Sequence, residues 1–324
     1  MLSVEKYQDE FNNFLKNFIP PSYPNNLYDP VKYILSLNGK RIRPILTLLT
    51  CDLFKKEYKS ALNAALAVEV FHNFSLVHDD IMDEAPLRRG RDTVHIKWDL
   101  NTAILSGDVM LILAYQLFEN YSGDTFVSLA QLFSKTAIEV CEGQQMDIDF
   151  TKQNIVSVSQ YLKMIEYKTA VLIGAAMKMG AIVAKTSVSN QKHIYDFGRN
   201  LGLAFQIQDD YLDTFGDEEK FGKIIGGDII ENKKTYLFTR ALELLDENNT
   251  KKLLNLYSSK SDDSTKKIFE VKQLYLKCDI PNLVRSEIES YTITAFECLE
   301  KIDISKTKKD FLRDFGNSLM KRII

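Results

Sequence analysis

An all-α protein is what the sequence predicts, and three observations predict it. Proline falls at Pro20, Pro21, Pro24, Pro30, Pro44 and Pro86 and then not again until Pro281, which leaves long helices room to run. Apolar residues in that interval recur at three and four, as in Leu105, Val109, Leu113 and Leu117, or in the stripe Leu162, Ile165, Thr169, Leu172 and Ile173. Alternating runs flanked by hairpin turns are scarce.

Taken in order, a Pro/Asn/Tyr-rich break at 20–30 precedes an apolar helix over 61–79. A charged break with Pro86 and Gly90 follows at 84–95, and a second apolar helix over 102–119. A third spans 198–213, then a Gly/Asp/Lys-rich break at 214–233 and an Asn/Ser/Asp/Lys break at 246–266. The three named helices are apolar nearly all round, so burial on more than one side is expected. Beyond 241 only amphipathic helices are legible. No break has the length or low complexity of a linker, so one domain over residues 1–324 is expected.

With 45% hydrophobic against 26% charged residues, the chain can bury a large core, which excludes disorder and fibre. Lys+Arg 41 against Asp+Glu 44 is too balanced for coating a nucleic acid or an anionic membrane, so no nucleic-acid partner is expected. Any anionic ligand must meet a local basic cluster. Cys51, Cys141, Cys278 and Cys298 never form CxxC and read as reduced core thiols of a cytoplasmic protein. Asp108 and Lys178 interrupt the most apolar stretches, and no membrane span is expected.

The chemistry is carried by a repeated pattern. Asp79, Asp80 and Asp83 follow Leu76-Val77-His78, and Asp209, Asp210 and Asp213 follow Phe205-Gln206-Ile207-Gln208; each triplet reads DDxxD. On a helix the first and fifth positions lie about 40° apart around the axis and ~6 Å along it, so they share a face. Like charges at that spacing weaken a helix by a few tenths of a kcal/mol unless something offsets them. A hard divalent cation does: Mg²⁺ takes oxygen ligands, keeps several waters, and joins one or two carboxylates to substrate phosphates. Basic residues for the remaining phosphate charge lie in short polar segments: Lys40, Arg41 and Arg43; Arg88 and Arg89; Lys168; Lys223 and Lys233. Walker-type, dinucleotide-type and zinc-ligand spacings are absent, as Gly222-Lys223 is followed by Ile224 and the histidines His72, His78, His95 and His193 form no cluster.

These residues together resemble the trans-prenyl diphosphate synthases (polyprenyl synthetases), short-chain type. The resemblance runs from about residue 31 to about 240. It covers Gly39-Lys40-Arg41-Ile42-Arg43-Pro44, the run from His72 to Asp83, Leu87-Arg88-Arg89-Gly90, Gly143-Gln144, Lys168-Thr169, Phe205-Gln206, and the second aspartate run followed by Lys223, Asp228 and Lys233-Lys234-Thr235. Asn38, Asn232 and Leu237 depart from the pattern, where Gly, Gly and Pro are usual.

The resemblance implies a single isoprenoid-synthase-type bundle of long helices around a central cavity. It implies Mg²⁺-dependent head-to-tail condensation of isopentenyl diphosphate with an allylic diphosphate. Asp79 and Asp83 would ligate two magnesium ions and Asp209 a third, with manganese a possible substitute; Asp80, Asp210, Asp213 and Asp228 would support them. Arg88, Lys168, Lys223 and Lys233 would hold the allylic diphosphate, with Thr169 and Gln206 along the forming cation. Lys40, Arg43, His72 and Arg89 would hold isopentenyl diphosphate. A homodimer is the family's usual form.

Phe71, Phe74 and Ser75 lie eight, five and four residues before Asp79, down the helix axis, where they can line the floor of a pocket for the lipid tail. An aromatic five before the first Asp with a small residue four before it resembles the geranylgeranyl type, with farnesyl diphosphate the second expectation. Two other readings stay open: a terpene cyclase, which needs no second diphosphate pocket, and a catalytically silent partner subunit, which would be expected to lose aspartates.

Overall fold

The computed structural model describes residues 2–54, 57–217, 225–258 and 263–321. It is helical throughout apart from one small ribbon, and the chain divides into two compact units, residues 1–136 with 175–195, and 137–174 with 196–324.

The first unit begins with α1 (Val4–Asn17), α2 (Asn25–Ser36), α3 (Ile42–Leu53) and α4 (Leu62–Met82). No Gly or Pro interrupts α4. Its alanines Ala64, Ala65 and Ala67 let neighbours approach, and burial of these with Leu66, Val68, Val70 and Phe71 wraps most of its circumference, as the sequence predicts. The helix ends where Glu84 turns left-handed (φ 50) ahead of Pro86. Two strands follow, β1 (Leu87–Arg88) and β2 (Arg91–Asp92), paired Leu87 to Asp92 and Arg88 to Arg91. Their two-residue turn, Arg89-Gly90, has positive φ at both positions (55 and 74), the geometry that matches strand twist. The sequence predicts a charged break over 84–95, and this ribbon lies within it.

The short α5 (Val94–Lys97) leads into α6 (Leu100–Gln116), capped by Asp99, whose carboxylate accepts from the Thr102 N–H at 2.9 Å. Against expectation, α6 is not buried all round: Ala103, Ser106, Gly107, Met110 and Leu113 face α2 and α4, while Leu105 and Ile112 are exposed. Together with the turn after it, Leu100–Asn120 is long and apolar enough to cross a membrane by length and composition alone, Asp108 notwithstanding. The half of α7 (Gly123–Lys152) up to Thr136 completes this part, with the 175–195 stretches of α9 (Val171–Val183) and α10 (Val188–Phe215).

In the second unit α8 (Val158–Ile165) starts on a reciprocal cap between Ser157 and Gln160. It runs through one π-turn, Glu166–Ala170, into α9. Beyond α10 come α11 (Gly227–Ile230), α12 (Tyr236–Leu244), α13 (Glu247–Ser258), α14 (Ser264–Lys277), α15 (Ile280–Glu300) and α16 (Lys306–Met320). Tyr161, Leu203, Ile207, Tyr236, Phe238, Leu253, Tyr257, Val271, Tyr275 and Val284 form its core. The predicted break at 246–266 contains α13: Asp246 accepts from the Asn249 N–H at 3.0 Å, and Leu253 and Tyr257, one turn apart, are buried. The predicted break at 20–30 likewise contains the start of α2. Of the cysteines, Cys51 is buried, Cys278 and Cys298 are half-buried and Cys141 is exposed; all four are free thiols.

Candidate active site

The first aspartate triplet occupies the last turn of α4, where the Asp83 N–H still donates to the Asp79 carbonyl at 2.9 Å, so Asp79 and Asp83 stand one helical turn apart. Asp80 turns inward and is 1% exposed. The hairpin then brings Arg88 back over the triplet: Nε donates to Asp80 Oδ1 at 2.9 Å, Nη2 donates to the same oxygen, and Nη2 lies 3.8 Å from Asp79 Oδ2. Burial alone would lower the Arg88 pKa, but the bonds to Asp80 outweigh it and raise it. Burial also raises the Asp80 carboxyl, against the pull of Arg88.

One residue further along the hairpin, the charge reverses. Arg43 Nη1 lies 3.3 Å from His72 Nε2. A guanidinium has no lone pair to accept with, so Nε2 is the acceptor and the ring proton sits on Nδ1. Burial first, then Arg43, Arg89, Arg88 and Arg41, push the His72 pKa well below the ordinary histidine value, and the ring stays neutral. Burial likewise pulls Arg43 down to about 10, with Glu69 opposing and Arg89 reinforcing the shift. Lys40, exposed, begins this cluster, and its carbonyl accepts from Gln8 Nε2 at 3.3 Å. Such a concentration of guanidinium around a neutral imidazole suits an anion that bridges no metal.

Phe71 is fully buried against Phe74 (5.5 Å between centroids) and Phe133 (5.0 Å), and Phe74 also meets the His78 ring at 4.8 Å. Ser75 is half-buried and donates to the His72 carbonyl at 2.8 Å. Of the three predicted floor residues, Phe71 and Phe74 thus belong to an aromatic stack on α4 that runs on to His78, while Ser75 bonds its own helix backbone.

In the second unit, Lys168 and Thr169 sit on the π-turn, which is wedged between two glycines. A Cβ at Gly143 would come within 2.2 Å of the Lys168 backbone nitrogen, and one at Gly202 within 2.8 Å of the Ala170 Cα. Lys168 Nζ bonds Asp147 Oδ2 at 2.6 Å. Thr169 Oγ1 donates to Gln206 Oε1 at 3.3 Å, and Gln206 Nε2 donates to Asp210 Oδ1 at 3.3 Å. Asp210, buried, also accepts from the Tyr161 hydroxyl and from the Tyr236 N–H at 3.2 Å. Burial and nearby Asp228 raise its pKa to about 8. Asp209 is half-exposed. Asp213 takes the Asp228 N–H at 3.0 Å and so anchors α11.

Lys233 pairs with Glu231 at 2.7 Å and approaches Asp228 at 3.7 Å. Asn232, left-handed (φ 58), occupies a conformation Asn tolerates better than other non-glycine residues. Its side-chain oxygen takes a hydrogen bond from the buried Lys267 ammonium at 2.5 Å, an anchor glycine could not offer. Lys223 lies outside the described residues.

Among the described residues no group of three His, Cys, Asp or Glu side chains could hold a metal ion unaided. That suits magnesium, which completes its shell with water and substrate phosphate. Asp80 Oδ2 is buried with no hydrogen-bond partner, an acceptor left open beside Asp79. Both Asp210 oxygens, by contrast, are engaged by neutral donors, and Asp213 Oδ2 takes the Asp228 N–H, whereas Asp209 is half-exposed. Sequence reasoning missed Asp147, Tyr161, Glu69 and Lys267. Asp147 could have been found, since it stands one helical turn after Gly143 in the Gly143-Gln144 motif; Tyr161, Glu69 and Lys267 have no local sequence signal.

The polyprenyl synthetase family model matches residues 24–275, a span that runs through both units. The chain is 35% identical to a short chain isoprenyl diphosphate synthase of Methanocaldococcus jannaschii, over all of this chain and 97% of that one. It is 38% identical to a geranylgeranyl diphosphate synthase of Sulfolobus acidocaldarius over 77% of each. A crystal structure of a geranylgeranyl pyrophosphate synthase superposes with a TM-score of 0.95 at 48% identity, covering 99% of both chains. The motif residues, their placement and these matches agree, and the chain belongs to the polyprenyl synthetase family.

Proposed function

We propose that this chain is a trans-prenyl diphosphate synthase that joins isopentenyl diphosphate to an allylic diphosphate and makes geranylgeranyl diphosphate, with residues 1–324 working as one isoprenoid synthase domain. One observation carries the reading: two adjacent arginines of a single hairpin serve opposite electrostatic environments. Arg88 lies on carboxylates, where a diphosphate bridged by metal is wanted; Arg89 lies with Arg43 and neutral His72, where a diphosphate without metal is wanted. A terpene cyclase needs the first and not the second. A silent subunit has no use for an intact pair of DDxxD triplets.

In this reading Asp79 and Asp83 would hold two magnesium ions and Asp209 a third, and the ions would supply charge neutralisation for the departing diphosphate. Arg88, Lys168 and Lys233 add positive charge for the same departing group. Lys40, Arg43 and Arg89 orient isopentenyl diphosphate, and neutral His72 accepts from Arg43 and so fixes its guanidinium. Thr169 and Gln206 present hydroxyl and amide dipoles to the cation that forms. No residue among those assigned is a base suited to take the proton from carbon 2, and the released diphosphate takes it.

Phe74 closes the tail pocket and Phe71 backs it. Phe74→Ala should lengthen the product, and unchanged chain length in a product assay would remove Phe74 from that role. The exposed apolar face of α6, with Leu105 and Ile112, supports a homodimer, and the enzyme works in the cytoplasm. Incubation with Mg²⁺, farnesyl diphosphate and isopentenyl diphosphate tests the whole: elongation supports the synthase, a hydrocarbon from the allylic substrate alone supports a cyclase, and inertness supports a silent subunit.

A further inference from the structure

The loop between α2 and α3 carries Lys40 and leads into Arg43, and open space flanks it on two sides. A cavity of about 700 Å³ opens on one side, bounded by α1, Ser36, Asn38 and Gly39; another of about 520 Å³ opens by Ser36, Asn38, the hairpin and Lys97. A guanidinium does the holding. Arg41, buried and in a left-handed backbone conformation (φ 51), donates from Nη2 to the carbonyls of Leu35 (2.8 Å) and Leu37 (2.7 Å) and from Nη1 to Glu69 Oε1. Glu69, buried on α4, is fixed in turn by Asn73 Nδ2 at 3.0 Å.

The same Leu37 carbonyl accepts from Arg89 Nη1 at 3.3 Å. The Arg89 guanidinium lies flat against Gly39, where a Cβ would stand 2.9 Å from its Cζ. The arginine buried beneath the loop and the one on the hairpin therefore share one acceptor. The position of that acceptor is set from below.

We propose that Arg41, fixed by Glu69, is a positioning residue for isopentenyl diphosphate: it holds the 35–41 loop in the shape in which Lys40, Arg43 and Arg89 present their charges to one anion. The inference rests on the assignment of those three residues under the proposed function. The carboxylate is bound by one terminal nitrogen and the two carbonyls by the other, a spread across a rigid plane that the single nitrogen of lysine cannot reproduce. The negative charge of Glu69 is also needed, because an unpaired buried guanidinium would pull away toward water.

Steady-state kinetics of the full chain, with each substrate varied in turn, test this. Arg41→Lys should raise KM for isopentenyl diphosphate about tenfold while kcat and the allylic KM stay within about twofold, the split expected when binding of one substrate is lost equally in the ground and transition states. Glu69→Gln should show the same split, smaller, at about threefold, and it carries the test if Arg41→Lys does not fold. An unchanged isopentenyl KM in a folded variant overturns the proposal, and so does a joint fall of kcat with both KM values worsening, which is the mark of general loosening. Lys40→Ala separates the two levels: if it too leaves that KM unchanged, the pocket assignment falls and the clamp with it, whereas a raised KM there beside a silent Arg41→Lys overturns the clamp alone.

Discussion

The two DDxxD triplets have the same sequence pattern and the same inward turn of the middle aspartate, but they are held differently. Asp80 is gripped by the Arg88 guanidinium from the hairpin that follows it. Asp210 is surrounded by a phenol, an amide and a backbone N–H, all neutral. In the first triplet the support is itself a cation, so frame and charge are coupled. In the second, support and charge are separated: the frame is neutral, and the cations Lys168 and Lys233 arrive from other elements. A five-residue motif therefore specifies where the outer carboxylates go and leaves the charge of the frame to residues distant in sequence.

Substitutions of the outer aspartates set the scale of that comparison. Asp79→Asn and Asp209→Asn should each lower kcat about 10²–10³-fold, the size of losing a major electrostatic contributor to the transition state. The middle aspartates should then separate. Asp80→Asn releases Arg88 and should cost about 10²-fold, whereas Asp210→Asn keeps neutral partners and should cost about tenfold or less. Equal losses at the two positions would break the distinction.

A pH series sharpens it further. The folded-state pKa of Asp210, about 8, is raised above the ordinary 3.8, so its contribution to stability is full below about 3.8 and is lost as pH rises through about 8. Metal-free protein should lose thermal stability over that window, and Asp210→Asn should flatten the loss; an unchanged pH slope would show that Asp210 is ionised in the fold. The smallest effect is expected at Asn232→Gly, which removes the acceptor of the buried Lys267. It should cost about 1.5–3 kcal/mol of stability, by denaturant titration, and raise the allylic KM a few-fold.

Much of this was legible in the sequence because it is periodic or repeated. The α4 helix could be read from its uninterrupted apolar run, and the aspartate registers from the 3.6-residue period. The turn Arg89-Gly90 was missed as a hairpin because its strands are two residues long, too short to show alternation. The helix α13 was missed because its polar composition hides two anchors, Leu253 and Tyr257, and its cap lies in Asp246. The outer face of α6 was expected to be buried, since apolarity records that a surface avoids water without saying what covers it. Glu69, Tyr161 and Lys267 were invisible for a different reason: each acts on a residue 28, 49 or 35 positions away, and no local pattern encodes such a pairing.

The central claim is that both triplets serve magnesium bound to an allylic diphosphate. Counting the ions bound per chain, by equilibrium dialysis with a non-hydrolysable allylic analogue, tests it most directly. The expected outcome is three ions in the wild-type protein, a loss of two in the doubly substituted Asp79→Asn, Asp83→Asn chain, and a loss of one in Asp209→Asn. An ion count that stays the same in both variants would contradict it.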